Sequence, residues 1–466
     1  MEKFFEGEAF TQKELIDGIH DGMNRGIITP VVCTSAADLG GIDMLLKEIE
    51  LLLPSPNEVF AAEAYTPTQD VVEVKCDVND PLSAFLFKTV ADPFVGKMSF
   101  IRVMSGKLSA NSDVMNSTTG TAEKIGKLYS LCGKKQTEVS IAMAGDIVVA
   151  SKISANTGDT LSDSSRVVEF GKMEFPRPCY SMAVKAKAQG DEAKISASMQ
   201  RLIEEDPTLT YEQDETTKEQ ILSGLGEQHI EVAAAKLKTK FGVEVNLTVP
   251  KIAYKETIRK KVKVQGRHKK QSGGHGQFGD VWIEFEPCVS DTLVFEEKIF
   301  GGAVPKNYFP AVQKGLEESV KKGVLAGCPV VGLKAILVDG SYHPVDSSEM
   351  AFKTAASIAY KEGLRQADPV MLEPIGELKV TAPDDNTGDI MGELNKRRGR
   401  VLGMEPVGSG ITQILAEVPM REMHDFAMYL RQTTRGMGSF TFDFVRYEQL
   451  PANLLTEVIS SVGAVE

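Results

Sequence analysis

The spacing of apolar positions divides the chain into five blocks with different periods. In the first block, residues 13–24 and 42–53 repeat apolar side chains every three or four positions, which is typical of amphipathic helices. The continuous apolar run at 27–33 between them is typical of a buried parallel strand. Residues 1–60 are therefore predicted to be the tail of an α/β domain. One strand between two helices needs further partners to cover both its faces.

The second block consists of short β-rich runs separated by glycines. MSFIRVMSG, SDVMNSTTG and AGDIVVASKI are examples of these runs. Short strands at regular spacing with turn residues between them favour a small β-barrel, which we place at 66–165.

Two later blocks share one order of elements. Each reads as strand, helix, strand, strand, helix, strand, which is the ferredoxin-like order βαββαβ. The blocks have no close sequence repeat in common. The pattern predicts two ferredoxin-like domains, at 175–250 and 371–460, with helices at 192–205, 227–241, 387–397 and 421–434.

The block between them, 251–370, is predicted to be an α+β domain that carries tip loops. Its helices are expected at 308–322 and 347–366, with a strand at 330–339. The fold class that results is a multidomain α+β protein. It contains an α/β tail, a β-barrel, two ferredoxin-like βαββαβ domains and the α+β tip domain.

The first tip loop is QSGGHGQFG at 271–279. Residues 259–270 ahead of it hold seven Lys or Arg and no acidic residue. Glycines allow positive φ and close approach of the backbone to a partner, while imidazole, amide and phenyl groups are used in recognition of single-stranded RNA. The alternative to RNA recognition is a hairpin that binds no partner and has a solvated basic edge strand. The candidate RNA-contacting residues are Gly273, Gly274, His275, Gln277 and Phe278, with Lys269 and Lys270 as candidate phosphate contacts.

A second tip loop is predicted in DGSYHPVDSSE, at 339–349. A strand ends there and a helix begins, with Asp346 or Ser347 as the expected N-cap. Such a junction projects Ser341, Tyr342 and His343 towards ribose or base edges, although a capped turn with a structural histidine has the same sequence pattern.

Composition limits the partners and the chemistry. The net charge of −13 means that RNA contact must be local. The six cysteines form no CxxC pair and the six histidines show no ligand spacing, so no metal site is expected. No apolar run reaches the roughly 18 residues of a membrane span, and MEKFFEGEAF is no signal peptide, which predicts a cytoplasmic protein without membrane contact.

No catalytic residues are predicted on this chain. It contains no GxxxxGK followed by Ser or Thr, whose backbone amides would cradle phosphates. The DxxG string at 389–392 is treated as incidental. No convergent acid, base or nucleophile supports a small-molecule enzyme.

A set of ordered strings resembles elongation factor G, the ribosomal translocation GTPase. They include TSAADLGGIDMLL, DPFVGKMSFIRVMSG, ILSGLGEQHIEV, QSGGHGQFG, GSYHPVDSSEMAFKTAASIAYKEG and TGDIMGELNKRRGRV. The resemblance implies the end of the GTPase (G) domain followed by domains two to five. It also implies that Ser35 and Ala36 retain the last guanine-contact motif, and that the two tip loops reach tRNA and mRNA in the decoding site.

The resemblance implies further partners. A longer parent would bind GTP and Mg, hydrolyse GTP and work as a monomer, whereas this chain alone needs no cofactor. Met1 is then expected to be an internal methionine, although a natural protein without a G domain is the alternative. Domain five would rest on the factor-binding RNA of the large subunit. Its candidate phosphate contacts, chosen by charge alone, are Lys396, Arg397, Arg398, Arg400 and Arg435; solvated helix ends have the same pattern.

Several positions depart from the common family pattern and indicate a divergent paralogue group. These are Met104, the pair Cys132 and Gly133, His275, Phe278 and Pro344. Ribosome recycling, and ribosome protection against an antibiotic, therefore stay open beside translocation.

Overall fold

The computed structural model describes residues 2–58, 61–133, 135–271 and 276–463. The predicted tip residues Gly273, Gly274 and His275 lie outside the described residues. The chain forms two compact units. The first comprises Met1–Pro176, Ala193–Thr208 and Lys236–Val243, and the second comprises Arg177–Glu192, Leu209–Ala235 and Glu244–Glu466.

The first unit begins with helices α1 (Glu2–Glu6), α2 (Gln12–Asn24) and α3 (Ile42–Leu52), which confirms the two helices predicted there. Thr11 and Glu14 form a capping box that starts α2. The strand predicted at 27–33 is wrong. Ile27 and Val31 are 76% and 86% exposed, and no strand of the described chain pairs with this segment, so its apolar side chains have no sheet to cover them.

A β-barrel follows, as predicted. Its main sheet has eight strands in the order β7-β6-β12-β3-β4-β11-β8-β9, and β13-β1-β2 and β10-β5 form smaller sheets. Alternate residues point inward, and Leu86, Ile101, Leu108, Leu128 and Leu161 are completely buried. The strands are β1 (Ala62–Tyr65), β2 (Val71–Val74), β3 (Ser83–Asp92), β4 (Gly96–Ser105), β5 (Lys107–Ser109), β6 (Asp113–Asn116), β7 (Thr121–Lys124), β8 (Leu128–Cys132), β9 (Lys135–Val139), β10 (Ile141–Met143), β11 (Ile147–Ser151), β12 (Thr160–Ser162) and β13 (Glu169–Phe170).

The first ferredoxin-like order is also confirmed. In the second unit, β14, β15, β16 and β17 form an antiparallel sheet in the order β15-β16-β14-β17. The elements in chain order are β14 (Tyr180–Ala186), α4 (Glu192–Glu205), β15 (Thr210–Gln213), β16 (Gln220–Gly224), α5 (Glu227–Phe241) and β17 (Val245–Thr248).

The tip-bearing part of the second unit packs two helices on a four-stranded sheet in the order β19-β20-β22-β21. Gly266 allows close contact with the second helix, because a Cβ there would overlap the backbone of Ala355. Val281, Phe285, Phe352 and neighbours form the core. The elements are β18 (Lys255–Ile258), β19 (Val262–Lys270), β20 (Gln277–Pro287), β21 (Val294–Glu297), a 3-10 turn (Lys306–Tyr308), α6 (Phe309–Ser319), β22 (Leu333–Ser341) and α7 (Glu349–Gln366).

The last part of the second unit repeats strand, helix, strand, strand, helix, strand. Its sheet has the order β18-β23-β25-β24, and β26 also pairs with β23. The predicted second helix is divided into a 3-10 turn (Met420–Met423) and α9. The elements are β23 (Pro369–Pro383), a 3-10 turn (Asp384–Asn386), α8 (Thr387–Lys396), β24 (Arg400–Gly408), β25 (Ile411–Pro419), α9 (Phe426–Thr433), β26 (Ser439–Gln449) and α10 (Ala452–Gly463).

Candidate nucleic-acid interface

The structure brings the described residues of the two predicted tip loops together. The N–H of Phe278, at the start of β20, donates to the carbonyl oxygen of Asp346 at 2.8 Å. Phe278 and Ser347 also form an isolated parallel bridge. The loop at 341–348 is therefore paired with the β19–β20 hairpin, and the two sequence signals belong to one surface.

Two side chains that the sequence analysis treated only as helix caps hold these loops. The Asp346 carboxylate accepts the N–H of Gly276 at 2.9 Å. The Ser347 hydroxyl donates to the carbonyl of Phe278 at 3.0 Å and accepts the N–H of His343 at 2.9 Å. Their signal in the sequence was a pair of short polar residues at a strand-to-helix junction, but such residues serve caps and loop ties equally well.

The N-cap of α7 is Ser348, not Asp346 or Ser347 as predicted. Its hydroxyl accepts the N–H of Ala351 at 3.2 Å. Because Ser348 satisfies the free donor at the helix end, Asp346 and Ser347 remain available to tie the loops.

His343 is held in one tautomer by the backbone around it. Its Nδ1 accepts the N–H groups of Val345 and Asp346 at 3.3 and 3.1 Å. An Asp346 carboxylate oxygen also lies 3.4 Å from Nδ1, but a nitrogen that accepts two N–H groups has no proton to donate to it. The network therefore assigns the proton to Nε2, which has no hydrogen-bond partner among the described residues. The side chain is 52% exposed, so this donor is accessible to a ligand.

An aromatic ring and cations adjoin His343. The Phe278 and His343 ring centroids are 6.3 Å apart, and the Arg267 guanidinium lies 5.6 Å from the Phe278 ring. Lys269 and Lys270 are exposed at the end of β19. The site combines an N–H donor, a ring face and positive charge, which are the groups that bind nucleic-acid bases and phosphates.

The other predicted tip residues have different surroundings. Ser341 donates to a buried carboxylate, Asp280, at 2.7 Å, so its hydroxyl supports the hairpin. The Gln277 Oε1 accepts a hydrogen bond from His268 Nε2 at 2.9 Å, and Tyr342 is 49% exposed.

In the last part of the chain, two of the arginines predicted to contact phosphate are already paired with acidic side chains. Arg397 is buried and contacts Asp425 at 2.5 Å and Glu393 at 2.9 Å. Arg398 contacts the buried Glu373 at 2.6 Å. Burial raises the pKa of Glu373 although Arg398 opposes this. We correct the prediction for these two arginines, because their charges are used inside the fold.

The remaining cations of that group, Lys396, Arg400 and Arg435, are exposed. Lys396 Nζ lies 3.6 Å from Glu393, in a surface pair that contributes little. Their predicted contact with phosphate stays a prediction.

Ser35 and Ala36 lie in the turn that precedes α3. The N–H of Ser35 donates to the carbonyl of Gly40 at 2.9 Å. The Ser35 hydroxyl, together with nearby backbone N–H groups, lowers the pKa of Asp38 below its ordinary value. The turn is thus closed on itself by Ser35 and Asp38.

Neither a metal centre nor a membrane-crossing helix is found in the ranges that the structure covers. No group of three or more His, Cys, Asp or Glu side chains among the described residues is arranged to hold a metal ion. No helix among them is both long and apolar enough to span a bilayer.

The order of the folded blocks agrees with comparisons to known protein families, which show a translation factor of the elongation type. Family models match in sequence order: Elongation factor G domain 2 at 81–164, domain III at 175–249, domain IV at 250–368 and the C-terminus at 370–458. The chain belongs to the elongation factor G family.

A solved structure is similar over the whole chain. It is a crystal structure of a protein from Thermus thermophilus, with a TM-score of 0.73 and 38% sequence identity. The match covers 100% of this chain and 67% of that chain. The family assignment identifies the chain as part of the protein-synthesis machinery that interacts with the ribosome.

Proposed function

We propose that this chain is the ribosome-binding part of a cytoplasmic translational GTPase that moves tRNA and mRNA. The loops joined through Phe278 and Asp346 enter the decoding site of the small subunit. The observation that carries this proposal is the arrangement at His343. This side chain has an accessible Nε2–H, and its ring lies beside the ring of Phe278, which the Arg267 guanidinium also adjoins.

The charge distribution supports RNA as the partner at this end. The whole chain carries −13, which disfavours general attraction to RNA. Around the tip, however, exposed Arg267, Lys269 and Lys270 are in no ion pair with another described residue. Local positive charge on an acidic body directs one end of the protein to phosphate and keeps the rest away.

The action proposed for this chain is mechanical. GTP and Mg would bind in a longer parent, because this sequence has no P-loop string. A conformational change driven by hydrolysis would then be transmitted by the domains to the tip. Close packing of Gly266 against α7 suits that role, because a loosely packed arm would absorb the movement. We further propose contact of the last domain with factor-binding RNA of the large subunit, and action as a monomer.

The test separates binding from movement. We expect His343→Ala, in the full-length parent, to slow single-round translocation roughly fivefold or more, while ribosome affinity changes less. The reason is the loss of a hydrogen bond that would act in the transition state of the movement. Lys361→Ala, an exposed change on α7, is the matched control. An unchanged translocation rate in the His343 variant would refute the tip role.

Two related activities are outcomes of parallel assays. If the full-length parent with intact tip loops releases ribosomes but does not translocate them, its activity is recycling. Survival of cells under tetracycline on expression of the parent would indicate ribosome protection.

A further inference from the structure

The outward face of the β19–β20 hairpin extends from the tip along the sheet. Lys263, Gln265, Arg267 and Lys269 of β19 are exposed, whereas Val264 between them is buried. Across the ladder, these exposed residues pair with positions of β20, and side chains of directly paired residues share one face. The pairs are Lys263 with Glu284, Gln265 with Trp282, Arg267 with Asp280, and Lys269 with Phe278.

Two aromatic rings of β20 lie beneath cations of β19. Lys263 Nζ is 5.8 Å from the Trp282 ring centroid, and the Arg267 guanidinium carbon is 5.6 Å from that of Phe278. Trp282 and Phe278 are four residues apart in one strand, which corresponds to about 13 Å. Rings and cations thus alternate along a single face.

The charges on this hairpin change along its length. Far from the tip, Lys261 contacts Glu284 at 2.8 Å and Glu286 at 3.2 Å. Nearer the tip, Lys263, Arg267 and Lys269 have no ion pair with any residue in the described ranges. Positive charge is neutralised at the base of the hairpin and available on the part that carries the rings.

We propose that this face binds single-stranded RNA next to the tip. Bases stack on Trp282 and Phe278, while Lys263, Arg267 and Lys269 contact phosphates. A base that takes the ring face displaces the cation to a neighbouring phosphate, so both groups find a partner in the complex. The inference rests on the proposed function and adds a binding surface beyond the tip loops.

RNA fits this surface better than an acidic protein segment does. A carboxylate peptide would satisfy the cations but leave the two ring faces without a flat partner. Every base has a π-face, so stacking needs no particular sequence. We therefore expect little preference among unstructured oligonucleotides.

The chain provides its own reporter, since Trp282 is its only tryptophan. The intact chain would be titrated with an unstructured oligouridylate of eight nucleotides, with fluorescence of Trp282 and anisotropy of labelled RNA as readouts. We expect quenching that saturates together with the anisotropy change. An abasic strand of the same length should bind at least about fivefold more weakly and quench little, because stacking is lost.

Variants assign the two kinds of contact. Trp282→Ala should weaken binding about fivefold or more, and Trp282→Phe should keep most of it, because phenylalanine retains a ring. Lys263→Gln should reduce the slope of log affinity against log salt by about 0.7, the value of one phosphate contact to a single strand. Lys361→Gln, on α7, should leave the slope unchanged. Thermal unfolding of each variant shows whether it is folded.

Three results would overturn the proposal. They are equal binding of the abasic strand, saturating RNA binding without quenching of Trp282, and equally tight binding of oligoglutamate. Failure here is distinguishable from failure of the tip role. Two assays test the tip independently of this face. One is co-sedimentation of the Lys263→Gln variant, in which the tip is unchanged, with ribosomes. The other is translocation by the parent carrying His343→Ala, in which the face is unchanged.

Discussion

The hydroxyl of Ser347 donates to the carbonyl oxygen of Phe278 at 3.0 Å and joins segments 69 residues apart. The same hydroxyl accepts the N–H of His343, so one side chain sets the backbone of both loops at the tip. The RNA-contacting role proposed for the tip needs such ties, because single loops open at little free-energy cost.

The tie made by Asp346 can be tested by hydrogen exchange. We expect Asp346→Ala to speed exchange of the Gly276 amide roughly tenfold or more, since a charge-assisted hydrogen bond of about 1.5–3 kcal/mol is lost. Asp346→Asn keeps an oxygen acceptor and should have a smaller effect. Unchanged protection of Gly276 in the alanine variant would show that this carboxylate does not hold the loop.

Close packing of the hairpin on α7 predicts a steric effect. Gly266→Ala would place a methyl group against the backbone of Ala355, and we expect the free energy of unfolding to fall by about 1–3 kcal/mol. The control is Gly392→Ala, in α8, where a Cβ meets nothing within 4 Å and helix propensity favours alanine by about 0.5–1 kcal/mol. Urea unfolding measures both. Equal stability of the two variants would contradict the close approach.

Glu256 organises the loop that follows α6. It is 1% exposed, and its carboxylate accepts N–H groups of Leu325, Ala326 and Cys328 at 2.9 to 3.1 Å. Glu256→Gln turns an amide donor towards these donors, so we expect a loss of about 1–3 kcal/mol in unfolding free energy. Glu297→Gln, at an exposed position, should change it by less than about 0.5 kcal/mol. Equal effects of the two changes would argue against this role.

Glu205 predicts a pH dependence in the first unit. Burial alone would raise its pKa, but Lys236, Lys240 and the N–H of Ala91 outweigh this and lower it from 4.5. The ionised carboxylate therefore stabilises the folded state above that value, and the contribution is lost as pH falls through the lowered pKa. We expect Glu205→Gln to cost about 1–3 kcal/mol at pH 7 and to converge with the unsubstituted protein in acid. If the unfolding midpoints of Glu205→Gln and the unsubstituted protein differ by the same amount at pH 7 and pH 3, this prediction is refuted.

Nucleotide chemistry gives the fifth prediction. The chain as given should neither bind GTP measurably in calorimetry nor hydrolyse it with ribosomes present. Ser35 and Ala36 would contact only the guanine base, and the sequence has no P-loop string to hold the phosphates. Ribosome-stimulated GTP hydrolysis by this chain would overturn the proposal that GTP binding requires a longer parent. The matched control is a complete elongation factor G assayed in the same ribosome preparation.

Local patterns were sufficient where neighbours in sequence decide the structure. The helix at α2 follows from its apolar spacing and the capping box of Thr11 and Glu14. The strand expected at 27–33 failed because a strand is stabilised by pairing with other strands, and the described chain offers it none. Hydrophobic period alone cannot supply that partner.

The sequence by itself determined the order of the domains, the family and the two tip loops, because periodicity and ordered motifs are properties of the chain. Only the tertiary structure decided which basic residues are held in ion pairs inside the fold. Arg397 and Arg398 have the same basic pattern as Lys263 and Arg267, yet they contact carboxylates such as Glu373, 25 residues from Arg398. Burial and ion pairing depend on such distant neighbours, and they separate a structural arginine from a candidate phosphate contact.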